Sequence, residues 1–396
     1  MAGKKSKGIF GKRISRREFI KQGAVAVAGL GIGAFALDSY LRGTAPASST
    51  FSGGAPESLW KWSKEAYHYM KLGNNVQCHV CPNQCILEEG DRSICRVKVN
   101  KGGKMYTLVY GNPCSVHVDP IEKKPLFHFL PGTGAFSIAT AGCNFRCQNC
   151  QNWQISQSRP EDTRNAELFP ADVVEAAKQN SSSSIAYTYS EPTVFYEYMY
   201  DTSKIARENG LRNLWITNGY MNEEALVDFC QYLDAANVDV KSFREDIYNR
   251  LNAGRLQPVL NTLKVLKREG RWFEMTNLVV PTYTDDLDMI REMCEWFVAN
   301  LGPDYPIHFS RFTPMYKLKS VPPTPLEFLE NAAKVADDSG MNYIYIGNYP
   351  GNSRESTYCP KCGGVVIGRR GYTITENNLQ NGACGHCGED IAGVWT

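Results

Sequence analysis

Cys143, Cys147 and Cys150, in "GCNFRCQNCQNW", form C-x3-C-x2-C. Thiolates are soft ligands that suit iron–sulfur clusters or zinc. A closed tetrahedral zinc site takes four ligands, so three thiolates leave one coordination position open. An open position is what a metal centre needs in order to bind and activate something. Two further sets recur at metal-ligand spacing. Cys359 and Cys362 ("CPKC") and Cys384 and Cys387 ("CGHC") stand 21 residues apart. Together they would close a four-thiolate site, with zinc as a structural clamp or iron as a one-electron relay. Cys78, Cys81 and Cys85, joined by Cys95, give C-x2-C-x3-C-x9-C, a structural zinc site or an auxiliary cluster. Fourteen cysteines are too dilute for a disulfide framework in 396 residues, and the short spacings favour metal ligation. Cys230 and Cys294 fall in apolar helical patterns and read as core thiols. Cys114 is left over: a ligand, a hydrogen donor or a buried thiol.

These residues need a scaffold, and the chain between about 135 and 347 alternates regularly. Strand runs are expected at 136–140, 184–189, 213–217, 238–242, 272–280, 306–310 and 342–347. Helical patterns lie between them, beginning at "PADVV", "TVFYE", "NEEAL", "LQPVL", "TDDLD" and "PLEFL". Asn222 precedes an acidic first turn, Pro170 and Pro325 stand at starts, and Gly270 and Gly340 follow last turns. Strand–helix alternation means βαβ units and a parallel sheet. The expected fold is α/β, a partial (β/α)6-type TIM barrel, with a doubly wound open sheet as the alternative. Active residues of such folds lie where strands end and the following loops begin. The cysteine triplet follows the first strand directly. The expected organisation is 1–47 a signal or anchor, 48–75 a linker and helical lead-in, and 76–132 a small Cys-rich N-terminal domain. Residues 133–350 are the barrel and 351–396 a zinc-ribbon or rubredoxin-like module. "DPIEKKPLFHF" (119–129) concentrates charge beside aromatics. It is either a cap at the barrel mouth that meets substrate or a structured surface loop.

A triplet of this spacing after the first strand of a partial barrel resembles the radical S-adenosylmethionine superfamily. That resemblance implies a [4Fe–4S] cluster on Cys143, Cys147 and Cys150, with S-adenosylmethionine chelating the fourth iron. Reductive cleavage then gives a 5′-deoxyadenosyl radical that abstracts hydrogen. The residue before the last cysteine, often aromatic in the superfamily, is Asn149 here. Ser190 and Glu191 of "YSEPT" stand where related activating enzymes have a Gly-Gly-Glu turn. Asn218 of "TNG" and Asp239 and Lys241 of "DVK" are similar to the strand-end motifs of pyruvate formate-lyase activating enzymes. By resemblance, these five residues contact the cofactor. "DPIEKKPLFHFLPG", "AYTYSEPT" and "CPKC…CGHC…AGVW" are also similar to the radical enzymes of the AmmeMemoRadiSam system, over some four-fifths of the chain. The implied partners are a flavodoxin- or ferredoxin-like electron donor and a protein or small-molecule substrate, with Memo-like proteins of that system as candidates. The rival reading is a multi-centre iron–sulfur and zinc electron-transfer protein without catalysis.

The first residues stand apart. "SRREFIK" followed by the apolar run 23–37 resembles a twin-arginine signal, with "APA" (45–47) as a cleavage site. This implies export or anchoring at the cell envelope, the alternative being a cytoplasmic protein. Membrane contact is expected through this segment alone. Residues 1–47 carry nine basic and two acidic residues, so the remainder of the +2 chain is −5. An acidic body argues against nucleic-acid partners, whose binding rests on positive surface.

Overall fold

The computed structural model describes residues 54–396, so the twin-arginine-like segment and its cleavage site lie outside the described residues. The alternating region folds into one mixed eight-stranded sheet. Its strands are β1 (Ser115–Pro120), β2 (Gly134–Ala139), β3 (Ser184–Tyr187), β4 (Arg212–Thr217), β5 (Ala235–Asp239), β6 (Trp272–Val279), β7 (Ile307–Arg311) and β8 (Ile344–Gly347). They lie side by side in chain order from β1 to β8. Strands β2 to β8 run parallel; β1 pairs antiparallel with β2, from Ser115 opposite Ala139 to Pro120 opposite Gly134. Six helices connect the parallel strands: α1 (Pro170–Gln179), α2 (Tyr196–Glu208), α3 (Glu223–Cys230), α4 (Leu256–Arg268), α5 (Leu287–Asn300) and α6 (Leu326–Asp338).

All seven expected strands form, with shifted ends. The helix expected from Asn222 stops at Cys230, and β5 begins at Ala235, inside a stretch that the apolar period places in the helix. Asp234 turns the chain there, accepting from Asn213 N (2.8 Å) and Arg212 (3.2 Å). Asp239 therefore ends its strand and Lys241 follows it. The pattern from Thr193 splits into a 3-10 turn, Pro192–Phe195, and α2, because the Glu191 side chain caps Thr193 N at 3.0 Å. Residues 115–120 fall within the expected N-terminal unit, 76–132, but as β1 they pair with β2 and form the edge of the main sheet.

Both faces of the sheet are covered. On one, Phe136, Ile138, Ile185, Trp215, Val238, Phe273 and Met275 pack into the main core with the helices. On the other lies the segment 119–132. Ile121, Leu126 and Phe129 pack on the small or inward side chains Ala135, Ala186, Leu214 and Ala235. Phe127 reaches His308 and Tyr345 on β7 and β8, at ring distances of 4.8 and 4.7 Å. Burial of Ile121, Glu122, Lys124, Leu126 and Phe129 overturns the reading as a surface loop. Most of these contacts gather at the strands' N-terminal ends, while Asp119 and Lys124 meet Tyr189 just beyond β3: the Tyr189 hydroxyl donates to Asp119, and Lys124 Nζ lies 4.5 Å from the ring centroid. His128 N donates to Glu274 (2.7 Å), which also pairs with His308 (2.7 Å), and Asn237 donates to Pro125 O (2.8 Å).

The same segment joins the C-terminal residues to the sheet. His128 Nδ1 lies 2.6 Å from Ala392 O and its Nε2 2.5 Å from Tyr345 Oη. Arg369 donates to Phe127 O (2.6 Å). Residues 357–384 supply short antiparallel strands whose Val366, Ile367 and Cys384 pack on Phe127, Tyr343 and Tyr345. Residues 64–107 form two three-stranded antiparallel sheets beside α2, tied to it by the buried pair Lys98–Glu197 (2.5 Å). Among the described residues no helix is long and apolar enough to cross a membrane.

Candidate metal centre and cofactor site

The loop after β2 carries Cys143, Cys147 and Cys150, and later parts of the chain fasten it. Arg146 N and Gln148 N donate to Asn252 O and Leu251 O, both at 2.9 Å, and Lys317 N donates to Gln148 O at 3.1 Å. Gly142 opens the loop at φ +100°, and a Cβ there would stand 2.5 Å from Cys95 O. Gly254 leaves room for Phe145, whose ring a Cβ would meet at 2.3 Å. The three sulfurs are thus held by a rigid frame.

Two of them receive donors. Phe145 N lies 3.3 Å from Cys143 Sγ, and Asn252 Nδ2 lies 3.2 Å from Cys147 Sγ. Burial pushes all three thiols up: Cys143 well above its ordinary value with the Glu191 carboxylate adding to it, Cys147 against the opposing pull of Lys241, and Cys150 to about 11. Three thiols gathered in a dry site need a cationic metal to become thiolates.

The expected cofactor residues converge on this loop. Glu191 is fully buried. Its Oε1 accepts from Thr193 N (3.0 Å), Thr193 Oγ1 (2.7 Å) and Thr217 Oγ1 (2.7 Å), and its Oε2 from Asn218 N (2.8 Å). It therefore clamps the end of β3 to the end of β4. Asn218 Nδ2 donates to Asn144 Oδ1 (2.8 Å) and lies 3.9 Å from Cys143 Sγ. Asp239 and Lys241 pair at 2.8 Å, and Lys241 acts on Cys147 and Cys150. Ser190 Oγ and Asn149 Oδ1 are buried without a partner. Orphaned polar atoms are costly in a dry interior unless a ligand completes them. Two of them beside three thiols fit a cluster with a polar cofactor.

Asn252, Asn144 and Arg96, whose side chain lies within electrostatic reach of Cys143, were not foreseen. Asn144 and Arg96 stand in irregular loops and Asn252 ends a short π-helical turn, Tyr248–Asn252, so no periodic signal marks them and only their place in the fold reveals them. Cys114 is set apart from the triplet: its N–H donates to Ala139 O (2.8 Å), and burial alone pushes its thiol up to about 12. Cys230 and Cys294 are buried, as expected of core thiols.

The C-terminal set is arranged differently. The sulfurs of Cys359, Cys362, Cys384 and Cys387 all lie within 4.8 Å of one another, with 3.6 Å between Cys359 and Cys387 and 3.8 Å between Cys362 and Cys384. A single metal with sulfurs at ~2.3 Å requires tetrahedral edges of about 3.8 Å. The group is therefore sized for one ion. His386 turns to Val365 O at 3.0 Å, away from the sulfurs' role.

The radical SAM superfamily profile matches residues 137–297, from inside β2 to the last turns of α5. Over 331 residues the chain is 48% identical to the uncharacterized protein MJ0808 of Methanocaldococcus jannaschii, covering 83% of this chain and 98% of that one. Residues 137–297 are a radical SAM superfamily domain. A second protein of the same organism, MJ0674, is 25% identical over 294 residues, 70% of this chain and 79% of its own. Solved structures of similar course include a radical SAM methyltransferase from Sphaerobacter thermophilus, at 14% identity and TM-score 0.44 over 59% of this chain and 71% of that one. A domain of a pyruvate-formate lyase-activating enzyme from Bacteroides vulgatus gives 15% identity and TM-score 0.37, over 42% of this chain and all of that one. A radical SAM domain implies a [4Fe–4S] cluster and S-adenosylmethionine.

Proposed function

We propose that this chain is a radical SAM enzyme in which Cys143, Cys147 and Cys150 ligate the [4Fe–4S] cluster and the fourth iron is left for S-adenosylmethionine. The observation that carries the reading is the three-thiol loop at the C-terminal end of the first parallel strand, flanked by two orphaned buried polar atoms. Bound there, cluster and cofactor supply a 5′-deoxyadenosyl radical that abstracts a hydrogen atom.

The chain's own residues bind and orient. Asn252 and Phe145 N donate to thiolate sulfurs, which draws charge off the cluster and favours its reduction. Ser190 Oγ and Asn149 Oδ1 offer hydrogen bonds to the cofactor's polar groups, Asn149 replacing stacking with polar recognition. Asp239 and Lys241 place a compact pair of opposite charges at the same rim. Glu191, with its four donors, is a positioning residue that fixes the rim's shape. The segment 119–132, spanning the sheet from β2 to β8 on the face away from the helices, supports a sheet curled into a partial barrel with its floor closed.

The substrate is a protein or small molecule that gives up a hydrogen atom, as for activating enzymes, and kinship with the AmmeMemoRadiSam radical enzymes belongs to this reading. A low-potential flavin or iron–sulfur protein supplies the electron. The C-terminal four-cysteine set holds zinc as a clamp. The twin-arginine-like segment directs the protein to the envelope. The deciding experiment is anaerobic reconstitution with iron and sulfide, then reduction with S-adenosylmethionine. Formation of 5′-deoxyadenosine, lost in Cys147→Ala, is expected. Its absence from a fully loaded protein refutes the proposal.

A further inference from the structure

Cys78, Cys81, Cys85 and Cys95 come together in the N-terminal sheets. Cys78 ends a strand (Asn75–Cys78), its N–H donating to Cys85 O at 2.9 Å, and Cys95 sits in the turn Ser93–Arg96 that leads into the strand Lys98–Lys101. Each is within electrostatic reach of others in the set: Cys81 of Cys78, Cys85 and Cys95, and Cys85 of Cys95. Among the described residues, only the C-terminal set draws three or more sulfurs within 4.8 Å of one another. The N-terminal set is gathered more widely. A wider cage suits several irons better than one ion, because a cluster's metals separate its thiolates.

Its position is the second observation. The Cys95 carbonyl presses on Gly142, the residue before Cys143. Asn83, between Cys81 and Cys85, donates to Asn144 O at 2.9 Å. The two cysteine loops therefore share a packed, hydrogen-bonded boundary. A structural zinc knuckle needs no such neighbour.

Charge is the third. Arg96 acts on both Cys95 and Cys143, and its Nη1 is buried without a partner. Lys98 acts on Cys78 and Cys95 from within its pair with Glu197. A buried guanidinium N–H without an acceptor is costly. Negatively charged clusters on either side would satisfy it.

We propose that Cys78, Cys81, Cys85 and Cys95 hold a second iron–sulfur cluster, abutting the Cys143–Cys150 centre across the Cys95–Gly142 contact, through which that centre receives its electron. This rests on the radical SAM reading of the first site. The donor, a reduced flavin or iron–sulfur carrier, loses one electron. The second cluster takes it and passes it on, and the first cluster is reduced by one; no protein bond forms or breaks. Arg96 is a positioning residue that favours the reduced state of both.

The test uses the full chain reconstituted anaerobically with ferrous iron and sulfide. Acid-labile sulfide is counted because a single-metal site contributes none. Wild type is expected to hold about eight sulfides. The triple variant Cys143→Ala, Cys147→Ala, Cys150→Ala should keep about four, and so should Cys81→Ala, Cys85→Ala. On reduction, the wild-type EPR spectrum should show splitting from two interacting spins, absent from each variant. A triple variant that binds zinc and no sulfide overturns the proposal. So does a wild-type spectrum equal to the sum of the two variants. Failure of the first site is distinguishable: the Cys81/Cys85 variant would then hold no sulfide while the triple variant kept its four. Should a cysteine variant fail to fold, Arg96→Leu gives an independent reading. Both midpoint potentials should fall, with Arg96→Lys restoring them, and unchanged potentials refute the coupling.

Discussion

At the scale of single residues the site is built from side chains that act on sulfur or on each other. Asn252 donates to Cys147 Sγ. Asn252→Leu removes that donor, so the cluster's midpoint potential should become more negative while iron content holds, as read by EPR-monitored titration. Glu191 is the opposite kind of residue, since all its capacity is spent inside the protein. In Glu191→Gln the Oε1 carbonyl can still serve Thr193 and Thr217, but the Nε2 amide would face the Asn218 N–H donor to donor. One buried mismatch costs about 1–3 kcal/mol. Chemical denaturation should therefore show a clear loss of stability, with 5′-deoxyadenosine yield falling only as the rim loosens. These two residues differ in legibility for a physical reason. Glu191 stands in a strand-end motif, whereas Asn252 ends a one-turn π-helix, Tyr248–Asn252, capped by Ala253 (φ +55°), which no apolar period announces.

At the scale of elements, the cysteine loop depends on a backbone conformation. Gly142→Ala places a Cβ 2.5 Å from Cys95 O at a φ that L-residues avoid, and should cost more than about 1 kcal/mol. The variant is expected to take up less iron at both cysteine sets, measured by labile sulfide and by thermal unfolding. Asp286 provides a contrast away from the site. It caps α5 by accepting from Asp288 N (3.0 Å) and Met289 N (3.1 Å). Asp286→Ala should lower stability by about 1 kcal/mol and leave iron uptake untouched. The alternation of strands and helices was readable because apolar runs of different period bury opposite faces. Strand β1 was not, since its burial is partial along most of its length and an edge strand takes its partner from the fold. The 119–129 segment is buried rather than a surface loop for a related reason: Lys124 and Asp119 satisfy each other at 2.5 Å under cover, and Glu122 accepts from Gly132 N at 2.8 Å.

At the scale of the whole molecule, one buried imidazole joins the sheet to the C-terminal residues. His128 meets Ala392 O and Tyr345 Oη, arrangements that suit a neutral ring with one N–H. Burial lowers its pKa to about 4, against the smaller opposing pull of Glu274, while Arg369 and His308 also disfavour charge. The unfolded chain binds the proton first, near pH 6.5, so stability is full above that value and falls as pH drops toward 4. The loss amounts to roughly 3 kcal/mol at the lower limit. His128→Gln should flatten this acid limb in a pH series of unfolding curves; an unaltered limb would assign it elsewhere. A different consequence follows from how the cysteine loop is tied. Its backbone bonds reach forward to Leu251, Asn252 and Lys317, more than a hundred residues downstream of Cys143. A ribosome releasing this chain exposes Cys78 to Cys95 early, as a locally complete set. The triplet's frame exists only after Lys317 has emerged. The outer set's own backbone ties can therefore form well before those of the triplet loop.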